Sequence, residues 1–389
     1  MVQLAQIGKE GGREMSESAS QARHVSVRSR IYRTLYEARD FVSRQSLAQS
    51  CGISMPTLYL NLNELMDEGL VCYSGEDRST GGRKAQGLDI VPDARVSVGI
   101  SVTEHHLRFV AADLRLRELA YKAVAFDTTA RLSDEAADLA GELERFLDEF
   151  GIDRTKLLGV GVTVPALLSS DSSRIQFAPT LGLRDVPIAG LTGKIPYPVY
   201  VDNDGSASGH AECFVRREQK EMAYLSLEYG VGGAVLIDGK LHRGARGHSG
   251  EFGHICVEPG GLRCNCGKQG CLEAYCSPLR VEQTLGVPLE EFFRGAEAHV
   301  PEYEALLYDM LRHLAIAVNS IHLTLDCDVI LGGFFSEYLQ PFLPVLRRYV
   351  LAGNPFEENA DFVQLSSLRR HITPLGAALF FIREFVSSV

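Results

Sequence analysis

Apolar positions along the chain follow helical spacing near the N-terminus and strand spacing further on. Ile31, Leu35 and Ala38 predict a first helix over residues 26–38. Ser43 as N-cap predicts a short second helix carrying Leu47 and Ala48, broken at Gly52. Ser54 predicts the start of a third helix that runs to about residue 68. It carries Leu58, Leu62 and Leu65 on one face, and Pro56 is tolerated in its first turn. Gly69 ends it. Residues 70–73 and 87–91 read as two short strands joined by the polar loop 74–86.

From Arg95 the pattern changes. Residues 96–102, 107–113 and 118–126 predict three sequential strands, and residues 134–150 an amphipathic helix with Leu139, Leu143, Phe146 and Leu147 facing inward. Strands follow at 157–164 and 199–202, then at 223–227 and 233–237 around a Gly-rich turn. A long helix over 303–324, a buried strand over 327–331 and a last helix over 375–386 complete the chain. Three antiparallel strands followed by alternating helices and strands therefore occur twice, which predicts two lobes facing each other across a cleft. The expected fold class is α/β. The expected domains are a tail over 1–22, a small domain over 23–92 and a body over 93–389. One lobe of the body spans 93–215 with the C-terminal helix, the other 216–373.

With 45% apolar residues in 389, the chain can bury a core, so global disorder is excluded. No apolar run approaches the ~20 residues of a membrane span. Residues 1–23 lack an apolar signal core, which predicts a cytoplasmic protein. A net charge of −11 excludes a protein coated in nucleic acid, but not a local DNA-binding module. The order helix, short helix, tight turn, helix, hairpin is that of a winged helix-turn-helix, whose third helix enters the major groove. With the three leucines inward, Pro56, Thr57, Tyr59, Leu60 and Asn63 fall on or near the outer face, where Asn and Thr can read base edges and Leu a thymine methyl. Residues 54–68 hold no Lys or Arg, so phosphate contacts fall to an Arg-rich stretch ending at Arg44, and to Arg83 and Lys84 in the wing.

Nine Cys is an odd count, and three of them crowd between Cys264 and Cys271. His254, Cys264, Cys266 and Cys271 form H-x9-C-x-C-x4-C, three thiolates and an imidazole that suit tetrahedral zinc in a closed structural site. Cys256 and Cys276 flank the group, and either is an alternative to His254 as fourth ligand. Asp202, Asn203 and Asp204 end an apolar strand, where carboxylates commonly line a ligand crevice. Together with Glu251, His254 and Glu273 they offer paired donors and acceptors, which fits a neutral polyhydroxyl ligand such as a sugar.

The run from Gly250 to His254 and the run Cys264-Asn265-Cys266-Gly267-Lys268-Gln269-Gly270-Cys271-Leu272-Glu273 resemble the signature of the ROK family of repressors, open reading frames and sugar kinases. Val201-Asp202-Asn203-Asp204-Gly205 resembles its sugar-binding segment, and the N-terminal module resembles that of its regulator branch, which includes xylose and N-acetylglucosamine repressors. The resemblance implies an actin- and hexokinase-like (RNase H-like) body. It implies sugar contacts by Asn203, Asp204, Glu251, His254 and Glu273, and structural zinc at His254, Cys264, Cys266 and Cys271. In the family's kinases the residue matching Asp204 is the base. Their first phosphate loop reads Asp-x-Gly-x-Thr, whereas this chain has Ser101-Val102-Thr103-Glu104-His105. Side chains at the glycine positions and the Glu104 charge oppose phosphate binding. The expectation is therefore a non-enzymatic, sugar-responsive regulator that binds operator DNA as a homodimer or homotetramer. The alternative is an ATP-dependent hexose or N-acetylhexosamine kinase using Asp204.

Overall fold

The computed structural model describes residues 26–38, 42–76, 86–126, 139–169, 172–368 and 370–389. The expected tail over 1–22, the wing residues Arg83 and Lys84, and the first turns of the helix expected from 134 lie outside the described residues. The chain divides into two units, one of residues 1–94 with 383–389 and one of 95–382.

In the first unit, helices α1 (Val27–Glu37), α2 (Arg44–Cys51) and α3 (Met55–Asp67) precede a hairpin of β1 (Val71–Glu76) and β2 (Gln86–Ile90). Each helix starts at a serine whose hydroxyl accepts a backbone N–H: Ser26 from Ser29 at 3.0 Å, Ser43 from Ser46 at 3.0 Å, Ser54 from Thr57 at 3.4 Å. Gly52 closes α2 in the left-handed region at φ 61° and sets up the turn into α3. Ile31, Leu35, Leu47, Leu58, Leu62, Leu65 and Leu88 are buried and form the small core.

The second unit is built on two five-stranded sheets of the same topology. In the first, β3 (Val96–Val102), β4 (His106–Asp113) and β5 (Glu118–Ala125) run antiparallel; β6 (Leu157–Val164) lies parallel to β3, and β10 (Val199–Asn203) parallel to β6. Between β6 and β10 a small sheet of β7 (Leu167–Leu168), β8 (Arg174–Ala178) and β9 (Leu183–Pro187) is inserted. In the second, β11 (Met222–Leu227), β12 (Val231–Ile237) and β13 (Lys240–Leu241) run antiparallel, followed by β14 (Asp328–Gly332) parallel to β11 and β15 (Val363–Leu365) parallel to β14. The strand orders are β10-β6-β3-β4-β5 and β13-β12-β11-β14-β15.

The longer helices of this unit are α4 (Leu139–Glu149), α5 (Asp204–Arg216), α6 (Pro278–Leu285), α7 (Leu289–Glu297), α8 (Pro301–Leu325), α9 (Leu343–Gly353) and α10 (Ile372–Ser388), whose last residues belong to the first unit. Phe109, Phe146, Leu143 and Val162 fill the core of the first lobe. Phe292, Phe293, Leu307, Leu314 and Leu331 fill that of the second. A Cβ at Gly99 would meet the Pro374 carbonyl oxygen at 1.7 Å, so β3 and the start of α10 approach as only glycine allows. The sequence did not predict α5. Its buried face is Gly205, Ala207, Ser208, Gly209, Ala211, Glu212 and Cys213, mostly small residues and one carboxylate, which do not register as an apolar stripe.

Candidate functional site

The loop after the turn Phe252–His254 folds back on itself. Val257 N–H donates to the Gly270 carbonyl at 2.8 Å, Leu272 N–H to Ile255 at 2.9 Å and Cys264 N–H to Lys268 at 2.8 Å. Gly270 makes the return possible at φ 85°, where a Cβ would lie 2.0 Å from the Glu258 carbonyl oxygen. The donor atoms of His254, Cys264, Cys266 and Cys271 thereby lie within 4.8 Å of one another.

Cys266 Sγ is 3.7 Å from Cys271 Sγ, and Cys264 Sγ is 3.9 Å from His254 Nδ1. A tetrahedral ion bound at ~2.3 Å to sulfur and ~2.0 Å to nitrogen sets ligand-to-ligand distances of about 3.5–3.8 Å, so the donor set fits such an ion. Four protein ligands leave no open position, and the site suits structure rather than Lewis-acid chemistry. Burial pushes the Cys264 and Cys271 thiols up, and a bound cation reverses that by taking them as thiolates. Cys256 and Cys276 stand outside the group. Cys256 is exposed, and the buried Cys276 donates to the Met310 carbonyl at 3.3 Å.

His254 belongs to two environments. Its Nδ1 faces the thiols, while Nε2 lies 3.9 Å from Glu251 Oε2. Burial raises the Glu251 carboxyl above its ordinary range. Asn203 caps α5: its Oδ1 accepts from Ser206 N–H at 3.0 Å and its Nδ2 donates to the Ala166 carbonyl at 3.1 Å. Asp204, the next residue, accepts from Gly205 N–H at 2.8 Å. Burial pushes it up to about 6, with the Glu251 charge adding to the rise. Glu273 is engaged on both oxygens, accepting from Val231 N–H at 3.0 Å and lying 3.6 Å from Cys264 Sγ. It ties the thiol loop to the turn between β11 and β12. The structure thus groups Asp204, Glu251, His254 and Glu273 in one electrostatic neighbourhood, with Asn203 at its edge.

Sequence reasoning took Glu228 only as part of that Gly-rich turn and gave it no role of its own. Burial, then the Asp204 charge, push it up to about 7. Sequence reasoning overlooked Arg243, whose guanidinium forks onto Asp202 at 2.8 and 2.9 Å. The partners lie 41 positions apart, beyond the reach of any local pattern. At the end of β3, Thr103 N–H donates to the His106 carbonyl at 2.9 Å, and Thr103 Oγ1 accepts from His106 N–H at 3.1 Å. Glu104 and His105 are exposed at the tip of this turn.

In the first unit, Pro56, Tyr59, Leu60 and Asn63 are exposed on α3, Leu60 to 64%. Thr57 is half-buried, and its hydroxyl lies 2.8 Å from Ser54 Oγ. Arg44 donates to the Tyr73 hydroxyl at 2.6 Å and lies over the rings of Tyr59 and Tyr73, at 5.4 and 5.0 Å from their centroids. It joins α3 to the hairpin.

The xylose repressor of Bacillus subtilis (strain 168) is 28% identical over 337 residues, covering 84% of this chain and 83% of its own length. The DNA-binding transcriptional dual regulator NagC of Escherichia coli (strain K12) is 26% identical over 377 residues, covering 90% of each. Among solved structures, a ROK family transcriptional regulator, a homologue of the E. coli MLC protein, superposes with a TM-score of 0.72 at 19% identity, over 92% of this chain and 96% of that one. The ROK hexokinase of Thermus thermophilus superposes with a TM-score of 0.59 at 28% identity, over 75% of this chain and 99% of its own. No helix among the described residues is long and apolar enough to cross a membrane. The ROK family model matches residues 97–384, and the chain belongs to that family.

Proposed function

We propose that this protein is a sugar-responsive transcriptional repressor of carbohydrate-utilisation genes. The observation that carries this reading is the pairing, in one chain, of a ROK body with a three-helix-and-hairpin module that leaves Pro56, Tyr59, Leu60 and Asn63 exposed on its third helix. Repressor relatives that share this length support it. In this reading the module is a winged helix-turn-helix. The third helix lies in the major groove, Arg44 and the wing residues Arg83 and Lys84 reach phosphates, and a homodimer or homotetramer matches a two-fold operator. Asn203, Asp204, Glu251, His254 and Glu273 hold the sugar. Zinc at His254, Cys264, Cys266 and Cys271 fixes the loop that carries His254 into the cleft. The sugar acts by binding one lobe arrangement better than another, because a ligand shifts an equilibrium only by its differential affinity.

The kinase reading is disfavoured by the β3–β4 turn. The Thr103 amide is already given to His106, and Glu104 adds a negative charge where phosphates would lie. A turn that gives up phosphate and magnesium contacts would forfeit most of the electrostatic catalysis of phosphoryl transfer.

The test is a thermal-shift screen of sugars and sugar phosphates, followed by operator binding with each hit. A stabilising sugar is expected to change operator affinity at least about tenfold, a differential of about 1.4 kcal/mol. Sugar-dependent ADP release at millimolar ATP and magnesium, abolished in Asp204→Asn, establishes the kinase instead.

The module carries its own prediction. Thr57→Ala combined with Asn63→Ala should weaken operator binding about 10- to 100-fold, at ~1–3 kcal/mol per lost base contact, and leave binding to random DNA nearly unchanged. Asn63 contributes the larger share, because the Thr57 hydroxyl is turned to Ser54. Equal losses on both DNAs would show that α3 does not read bases.

A further inference from the structure

Arg243 follows β13, at the edge of the second sheet, and grips Asp202 in β10, at the edge of the first. Its Nη1 donates to Asp202 Oδ1 at 2.9 Å and its Nη2 to Oδ2 at 2.8 Å. Nη2 also donates to the Tyr200 hydroxyl at 2.8 Å, and that hydroxyl donates to Asp202 Oδ2 at 3.0 Å. Asp202 is only 5% exposed, so removing Arg243 would leave a buried carboxylate without its ionic partner. The paired fork is the strongest geometry an arginine makes with a carboxylate.

Both ends of the fork run directly into the ligand cleft. Asp202 Oδ1 also accepts the N–H of Asn203 at 2.8 Å, and Asp204 follows. The Arg243 carbonyl accepts the N–H of Ser249 at 3.3 Å, two residues before Glu251. The Tyr200 ring lies flat on Phe380 of α10, with centroids 3.7 Å apart and planes 4° from parallel. The Arg243 guanidinium thus grips the strand that presents Asn203 and Asp204, its backbone carbonyl meets the loop that presents Glu251, and its partner Tyr200 is backed by the last helix.

We infer that the Arg243–Asp202 pair is the latch between the two lobes, and that Arg243 is a positioning residue for the ligand site. It holds Asn203 and Asp204 of the first lobe in register with Glu251 and His254 of the second. This rests on the proposed ligand cleft for its meaning, but the latch itself is a property of the unliganded protein. With the latch open, the lobes sample arrangements in which the two halves of the cleft no longer converge, and apparent affinity falls by the fraction that remains competent.

The test uses the full-length protein and hydrogen–deuterium exchange read by mass spectrometry. Arg243→Gln should accelerate exchange about tenfold in peptides over 199–206, which do not contain the substitution. Asp202→Asn should do the same over 242–252. The double variant should be no faster than either single one, because both open the same latch. Arg243→Lys keeps the charge, loses the fork and should fall between. Acceleration confined to the peptide that carries each substitution, or effects that add, would overturn the latch.

Ligand affinity is then measured by calorimetry with D-xylose, D-glucose and N-acetylglucosamine as probes. Arg243→Gln should lower affinity about tenfold for whichever probe the unsubstituted protein binds, with Arg243→Lys intermediate. Unchanged affinity alongside accelerated exchange would overturn the positioning role. If the unsubstituted protein binds none of the three, the ligand reading fails for these sugars and the positioning role falls with it, while the exchange result still decides the latch.

Discussion

Cys266→Ser is expected to abolish stoichiometric zinc binding and to lower the melting temperature by about 10 °C. Cys266 is the cleanest of the four ligands to change. It is only half-buried, so a serine hydroxyl there stays within reach of water, unlike one at the buried Cys264 or Cys271. The loop it belongs to has little else to hold it. Between Val257 and Cys271 no aliphatic or aromatic side chain is buried, and the path is fixed by backbone contacts such as the Arg263–Gln269 bridge. Closed zinc sites supply folding free energy outright, about 10–16 kcal/mol in isolated fingers. Here the loop rests on a folded lobe through Leu272 and Tyr275, so only part of that is at stake. A loss of about 3–5 kcal/mol, at about 2–4 °C per kcal/mol for a unit of this size, gives the stated shift. Elemental analysis and calorimetry check it. Cys256→Ser is the control: exposed and outside the group, it should leave zinc content unchanged. Zinc retained at full stoichiometry in Cys266→Ser would remove that thiol from the site.

What could be read from the sequence follows the range of the interactions. The His/Cys group was legible because its four residues fall within 18 positions, and three thiols in a Gly-rich loop have few other uses. The faces of α3 were legible because Leu58, Leu62 and Leu65 sit at helical spacing, and all three are buried. The doubled sheet topology was legible in outline from the order of strands and helices. Long-range features were not. The β8–β9 hairpin was missed because β8 alternates polar and apolar over only four positions, from Arg174 to Phe177, and β9, Leu-Arg-Asp-Val-Pro, does not alternate. Helix α5 was missed because it packs through small residues against β11 and β12. The same holds for the buried Glu212, which pairs with Arg216 at 2.6 Å and accepts from Ser366 Oγ at 2.6 Å and Ser367 N–H at 2.7 Å. A glutamate in a helix reads as solvated until the chain 154 positions away returns to meet it.

Asp204→Asn is expected to make the protein more stable at pH 8 and a poorer binder of sugar, because one carboxylate sits where burial opposes its charge. In the folded chain Asp204 is held at about 6 instead of the ordinary 3.8, mainly by burial. A raised acid means that between those two values the folded state keeps a proton the unfolded state has lost. Stability therefore falls as the pH rises from about 4 through about 6, and levels off above. The penalty at pH 8 is about 2–3 kcal/mol, at ~1.4 kcal/mol per unit. Asparagine removes it and can still accept from Gly205 N–H, but gives up the favourable charge at the start of α5, worth about 0.3–1 kcal/mol. The net gain should be about 1–2 kcal/mol at pH 8 and vanish below pH 4. Glu228 should shift as well, because the neighbouring Asp204 charge helps push it up to about 7. Its carboxyl is expected to ionise at lower pH in the variant. Unfolding free energies of both proteins from pH 4 to pH 8 check the sign, and a difference independent of pH would place the Asp204 charge in water. Sugar affinity should fall at least about tenfold, because a neutral amide replaces a charge-assisted acceptor for the ligand hydroxyls. A stabilised protein with weakened binding is the signature of a site that keeps its charge for function rather than for folding.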